Sequence, residues 1–468
     1  MRVSHAASAL SALFDDPNLV SCAGLAPVVA LGERCGLGEL AADKLTLKTK
    51  GGVNAHLKVP ALVAGMVAGA DSIDDMDLLR HGGMRRLFDD IRAPSTFGTF
   101  LRSFTFGHVR QLDSIAASLL ARLAAASPLL PGADAVAVVD IDDTVRQTHG
   151  YAKQGVGFGY SGVKGLNALV AAVSTPLSAP VICGTRLRKG STNSAKGAGR
   201  FVADALVTAR AAGAGGVDRR GLVLLRADSA FFTHDTIATA RRHGARFSVT
   251  ARMNPAVLAA IGRIKETAWT SIVYPNAVWD EAEQRWISDA QLAEIDFTAF
   301  TSRRKAEHIT ARLVVRRVKR LQPPSSGDST EQGELFDAYR YHAFFTDSAL
   351  SLIEADTTHR AHAIIEQVIA DLKNGPLAHL PSGNFNANAA WLVLAAIAFN
   401  LTRAVGCLAS RLHARATTGT LRAQLINIPA RLARSARRLV LHLPKRWPWQ
   451  DAFEQMFTAA TGPPSPRP

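Results

Sequence analysis

Cysteine is scarce in this 468-residue chain: Cys22, Cys35, Cys183 and Cys407 lie far apart, with no Cys-x-x-Cys pair. That pattern speaks against a zinc ribbon and a disulfide framework and predicts a reducing, cytoplasmic setting. Long apolar runs are missing as well. The most membrane-like stretch, Ala389–Phe399, is followed by Asn400 and Arg403, well short of the ~18 apolar residues a span needs, so a buried core helix is expected. The opening MRVSHAASALSALFDD has too short an apolar run, and meets acids too early, to read as a signal peptide. Acidic residues are the third shortage: 39 stand against 54 Lys and Arg, leaving a formal net charge of +15. Such an excess draws polyanions, nucleic acid first among them. The length and the 47% hydrophobic content support two or three globular domains rather than disorder.

What the chain does have is an apolar, β-branched run ending in carboxylates. Residues 133–150 read ADAVAVVDIDDTVRQTHG, a buried strand bounded upstream by Pro131-Gly132. Strand alternation puts Val138, Asp140 and Asp142 on one face and Val139, Ile141 and Asp143 on the other. Two acids on one face of a core strand call for a partner, because a buried unpaired carboxylate costs several kcal/mol. A divalent cation such as Mg²⁺ is the simplest partner; loop or helix capping by the same acids is the alternative. A second strand, GLVLLRADS at Gly221–Ser229, also stops in an acid, Asp228. Two such strands in one sheet would bring two carboxylates to a shared ion.

The first 130 residues read as helical and basic, with Lys44, Lys48, Lys50 and Lys58 ahead of a helix at Lys58–Gly69 and a capping sequence at Ser72–Asp75. Pro94 opens a helix whose Phe97, Phe100, Leu101 and Phe104 form an apolar stripe. From Ala135 to Met253 the order is three strands (the first through Asp142, then Gly165–Ser174 and Val181–Arg188, an antiparallel meander), helix, strand, helix, strand. That is the order of an RNase H-like mixed sheet flanked by helices. The loop RLRKGSTNSAKGAG at Arg186–Gly199 offers Arg188, Lys189, Asn193 and Lys196 to a phosphate backbone, or is a solvated linker. Residues 254–346 read as a β-rich insertion. Its basic strand ITARLVVRRVK carries Arg312, Arg316, Arg317 and Lys319, suited to tracking DNA. Trp269, Trp279 and Trp286 would stack an unpaired base or simply pack. Gln322–Gly333 reads as a flexible loop and the terminal GPPSPRP as disordered. Asp356-Thr357-Thr358 reads as the cap of one helix carrying His359, His362, Glu366 and Lys373 along a single face. The stretch from Arg411 to Arg446 is basic and amphipathic.

Taken together these motifs resemble the DDE transposases of bacterial insertion sequences, in the branch with a β-rich insertion between the second Asp and the Glu. The insertion sequence thirteen-eighty group is the most similar. The resemblance rests on Asp142-Asp143-Thr144, RADS at Arg226–Ser229 and the helix with Glu366 and Lys373. It rests also on DSIDDMDLLRHGG at Asp71–Gly83, APSTFGTFLRSFTFGHVRQLD at Ala93–Asp113, GNFNANAAW at Gly383–Trp391 and the late HLPKRWPW. In that branch the glutamate helix carries Tyr and Arg where this chain has His359 and His362. The resemblance implies an N-terminal helical DNA-binding domain (1–130), a catalytic core (131–253), the insertion (254–346), core completion with the glutamate helix (347–410) and a basic tail (411–468). It further implies that Asp142, Asp228 and Glu366 bind two Mg²⁺ or Mn²⁺ ions, with Asp140 the rival of Asp142. Lys373 and His362 would hold phosphate, and His359, Arg188, Lys189, Asn193, Lys196, Arg316 and Arg317 would contact DNA. The implied reaction is cut-and-paste transposition: cleavage at the element's terminal inverted repeats and strand transfer into target double-stranded DNA. It would proceed in a synaptic homodimer, in a bacterial cytoplasm at the nucleoid, without membrane contact. An RNase H-like nuclease lacking strand transfer, or an inactive DNA-binding remnant, are the alternatives.

Overall fold

The computed structural model describes residues 4, 9–49, 51–148, 152–159, 162–280, 285–319, 339–435 and 438–462. The Gln322–Gly333 loop and the sequence after Gly462 lie outside the described residues, as do the side chains of Trp279 and Trp286. The chain forms two compact units, one of residues 1–115, 374–382 and 386–468, the other of 116–373 and 383–385.

The first unit is mainly helical. Strand β1 (Leu19–Val20) precedes a run of helices that includes Leu25–Arg34, Leu37–Lys44, Ala55–Ala68 and Pro94–Arg102. The apolar stripe Phe97, Phe100, Leu101 and Phe104 is core, as its spacing predicts. The helix Phe385–Ala409 is long and apolar enough to cross a membrane, but it is buried from Ala387 to Gly406. Its polar groups are satisfied internally: Trp391 Nε1 donates to Pro376 O at 2.7 Å, and Asn388 Nδ2 to Ser382 O at 2.7 Å. The basic stretch after Arg411 is folded into this unit. It ends in strands we number β12 (Ala430–Ser435) and β13 (Arg438–His442), in chain order after those of the second unit, and the helix Gln450–Thr461. β12 pairs with β1, Leu19 opposite Arg431, and Arg34 Nη1 donates to Ala459 O at 2.8 Å. Gly24 is required here because a Cβ would stand 1.9 Å from Leu425 O.

The second unit is built on one ten-stranded mixed sheet. Its strands are β2 (Val136–Gln147), β3 (Gly157–Phe158), β4 (Lys164–Ser174), β5 (Val181–Lys189), β6 (Leu222–Ala227), β7 (Arg246–Thr250), β8 (Thr270–Asp280), β9 (Arg285–Ala299), β10 (Ile309–Lys319) and β11 (Tyr339–Thr346). The path runs β3-β4-β2-β6-β7-β11-β10-β9-β8, with β5 also on β4. The meander β2-β4-β5 is antiparallel and β2-β6-β7 is parallel, joined by the helices Ala198–Ala211 and His234–Arg242. This is the mixed, helix-flanked α/β sheet expected of an RNase H-like core.

One expectation changes. β2 does not end at its acids but continues to Gln147, because β4 pairs with it through Arg146 and Gln147. β11 pairs directly with β7, Phe345 opposite Val249, so β8 to β11 extend the core sheet. The junction is held by rings: Phe345, fully buried, meets Phe247 at 5.2 Å and Phe232 and Phe297 at 5.9 Å. Phe345→Ala is therefore expected to destabilise the sheet by about 3–5 kcal/mol, read as a lower urea midpoint. An unchanged midpoint would show that the junction does not depend on this ring.

Candidate active site

Three acids on β2 meet three different surroundings. Asp140 is buried and opposite Arg226 in the parallel β2/β6 register. Arg226 donates Nε to Asp140 Oδ1 at 2.8 Å and Nη2 to Oδ2 at 2.7 Å, the bidentate geometry that makes such pairs strong. Its Nη1 also donates to Thr358 O. The Nδ1–H of His362 donates to Asp140 Oδ1 at 2.7 Å. The carboxylate, an acceptor only, thereby fixes which ring nitrogen carries the proton toward it. With both oxygens engaged by Arg226 and His362, Asp140 is a poor rival for a cation.

Asp143 points to the opposite face, as alternation requires. It accepts from Arg188 Nη2 at 2.5 Å, Asn167 Nδ2 at 2.6 Å and Ser194 Oγ at 3.1 Å. Arg188 is buried, donates Nε to Asn167 Oδ1 at 2.8 Å, and gathers the carbonyls of Ser194 and Lys196 at 2.8 and 3.2 Å.

Asp142 has neither kind of partner. Its Oδ1 accepts from the Asp143 backbone N–H at 2.7 Å, and no basic side chain among the described residues is within ion-pair distance of it. Ile141 is level with Ala227 in the parallel register, so Asp142 and Asp228 fall side by side at the next step. Burial above all, then the neighbouring Asp228 charge, pushes the Asp142 carboxyl up to about 7, against the opposing Asp143 N–H and His362. Asp228 is raised too, chiefly by burial, although it accepts from Ala230 N–H at 3.0 Å and lies near His362.

The helical segment that covers this face does not have the expected form. The Ser351–Glu354 capping box starts a helix at Leu352, ahead of the anticipated cap at Asp356. Asp356 is instead inside that helix, buried and paired with Arg360 at 2.8 Å. The helix ends at Arg360, a 3-10 turn occupies Ala361–Ala363, and a second helix runs Ile364–Lys373 against β2 and β4. The tighter turn shifts the angular phase, so the four polar residues do not share one face. His359 turns to the sheet, with Nδ1 2.9 Å from Ser248 Oγ, Nε2 3.1 Å from Thr250 Oγ1 and its ring stacked 4.2 Å from Phe344. Burial first, then the His362, Arg226 and Arg316 charges, holds it down to about 3, so it is neutral at physiological pH. Lys373 lies near Asp142 and Arg146; burial and Arg146 hold its ammonium below the usual lysine range, with Asp142 opposing. Glu366 is exposed, one helical turn after His362, and has no ion pair among the described residues.

The residues expected to grip DNA divide in the same way. Lys189, Asn193 and Lys196 are exposed. Arg188 is neither, for it neutralises Asp143, and His359 is committed to the sheet. Arg317 is 3% exposed, pairs with Glu266, and lies between Trp269 and Tyr339 at 4.1 and 4.3 Å from their rings. Arg316 is half-buried, 4.0 Å from Asp356. Four of the anticipated DNA contacts are thus engaged within the protein. Sequence reasoning passed over Arg146, on the same face of β2 as Asp142 and beside Lys373; strand parity alone could have flagged it.

The donor set suits a divalent cation. Two hard carboxylates stand near each other, one raised to about 7 chiefly by burial, and oxygen ligands of this kind match Mg²⁺ or Mn²⁺. Among the described residues no three acids, imidazoles or thiols already form a metal cluster. A family model described as "Transposase DDE domain group 1" matches residues 4–461. A search of curated proteins found no match.

Two outcomes are expected of these surroundings. A raised carboxyl binds its proton more tightly folded than unfolded, so Asp142 withdraws stability as pH climbs from the ordinary 3.8 through about 7. Metal-free protein should therefore melt lower at pH 8 than at pH 5, and Asp142→Asn should flatten the slope; a wild-type melting curve without this pH dependence would contradict the assignment. Arg188→Ala leaves Asp143 buried without its cation and should cost about 3–5 kcal/mol in denaturant unfolding, where a mere DNA contact would cost no stability.

Proposed function

The chain belongs to the group 1 DDE transposase family, and on that premise we propose that it cuts the ends of a bacterial element of the insertion sequence thirteen-eighty type and joins them to target DNA. The observation that carries this reading is the proximity of Asp142 on β2 to Asp228, the residue that follows the parallel strand β6, with the Asp142 carboxyl raised to about 7. The family is generally divalent-metal dependent. In this reading Asp142, Asp228 and Glu366 hold two cations, with Glu366 closing onto the aspartates from the exposed side of the helix that carries it. When bound, such ions lower the pKa of an attacking water or 3′-hydroxyl and offset charge at the phosphoryl group.

The chain's own groups do the rest. Asp140 and Arg226 hold the His362 ring in place beside the two aspartates. Lys373 and Arg146 supply positive charge next to Asp142, where a scissile phosphate is bound and oriented. Asp143 and Arg188 brace the strand from behind and fold the 189–196 loop, whose Lys189, Asn193 and Lys196 reach the duplex backbone. Terminal inverted repeats and target DNA are the partners, a homodimer brings two ends together, and the bacterial cytoplasm at the nucleoid is the setting.

The test is incubation of the full chain with the ends of its own element, a target plasmid and Mg²⁺ or Mn²⁺, mapping cut and joined strands. Asp142→Ala, Asp228→Ala and Glu366→Gln should each lower cleavage at least about a hundredfold, a few kcal/mol of barrier, while retaining DNA binding. Cleavage without joined product would make the protein a nuclease, and cleavage undiminished by Glu366→Gln would remove that residue from the site.

A further inference from the structure

At the opposite end of the parallel strands from Asp228 lies a cavity of about 610 Å³. The loop before β6 and the turn before β7 form its walls, with the end of the helix Ala198–Ala211. Its charged lining is Arg210, Arg219 and Arg242, with His243 beside them and no acid. Arg210 spends one nitrogen on the chain, Nη2 donating to the carbonyls of His243 and Gly244 at 3.1 and 3.0 Å. Its Nε and Nη1 are buried and have no acceptor among the described residues, so the guanidinium keeps its positive charge at the cavity wall without a carboxylate to offset it. Gly216 and Gly244, both at positive φ (71° and 69°), line the wall. Arg219 and Arg242 are exposed, and among the described residues neither forms an ion pair; Asp218, close by, faces Arg220 at 3.5 Å. Burial, and secondarily the charge of Arg219, holds the Arg210 guanidinium below its usual range.

Three guanidinium groups around one hollow, two of them exposed and without an ion pair among the described residues, offer forked donors and positive charge to an anion. We propose that this cavity binds backbone phosphates of a second stretch of duplex DNA, distinct from the stretch cut beside Asp142 and Asp228. The six residues of β6 separate the two places by roughly 20 Å, so the phosphate held here is not the one being cut. This assignment rests on the transposase reading above and adds to it where further DNA lies.

The experiment is equilibrium binding of a fluorescent duplex to the full chain across a salt series, for wild type and for the double variant Arg219→Asn, Arg242→Gln. Asn is chosen because it tolerates the positive φ of residue 219 (57°). The double variant should bind at least about fivefold more weakly, with a salt slope lower by about 2, one unit for each phosphate that the variant no longer neutralises. An unchanged melting temperature would show that the weaker binding is not a failure of folding. Wild-type binding with the same affinity and slope in the variant would overturn the inference while leaving the transposase reading intact. No duplex binding by wild type would remove both. A calorimetric titration with inorganic phosphate forms a second arm. Phosphate binding abolished in the variant, with duplex binding undiminished, would make the cavity a small-anion site and overturn the assignment to DNA.

Discussion

The sheet-bearing unit of this protein depends on one buried ion pair, Asp140 with Arg226. The two residues are partners in the parallel register of β2 and β6, and their bidentate contact turns that register into a chemical requirement. A slip of one residue would turn Asp140 away from Arg226 and leave both charges unpaired in the core, at a cost of several kcal/mol. Because the register is held there, the next step along the two strands sets Asp142 beside Asp228. The same pair reaches out of the sheet through His362 Nδ1 and Thr358 O. It thereby positions the 3-10 turn and, through it, the helix that bears Glu366 and Lys373.

The sheet around that pair explains why a chain with so many arginines keeps several of them from solvent. Arg188, Arg226 and Arg317 are each less than a tenth exposed, and each is matched by an acid: Asp143, Asp140 and Glu266. Arg suits these places because its planar fork satisfies a carboxylate and still has donors left for carbonyls. Arg188 uses them to fold the following loop, and Arg317 uses its flat faces to stack between two aromatic rings. The net charge that invites DNA therefore resides in other cations, among them Lys189 and Lys196 of the loop.

Much of this is legible in the sequence. The β2 to β7 order, the parity of Asp140, Asp142 and Asp143, and the core stripe near Phe100 follow from periodicity, which reports burial directly. What is not legible is partnership across long separations. Nothing local distinguishes Arg188 from Lys189, yet one lies on the buried side of β5 opposite Asn167 and the other is exposed. The helix after Ser351 starts earlier than expected because Asp-Thr-Thr is itself a good cap sequence; the stronger reciprocal box lies five residues upstream, with Glu three places after Ser. The single polar face then dissolves into two because a 3-10 turn carries no clear sequence mark. The Phe247–Phe345 contact that joins the segment after residue 254 to the sheet spans about a hundred positions.

The three acids of β2 show how one short motif yields separate roles without any special residue. All are the same chemical group within four positions, and the surroundings alone sort them. Asp140 meets a guanidinium and an imidazole, Asp143 a guanidinium, an amide and a hydroxyl, and Asp142 accepts only a backbone N–H, with Asp228, His362 and Lys373 near but unpaired with it. A carboxylate supplied with donors is structurally satisfied, and a second cation gains little from it. Asp142, deprived of them, retains its unspent demand for positive charge. Arg226 and Arg188 are spent on its two neighbours, and the cations nearest to Asp142, Lys373 and His362, form no ion pair with it.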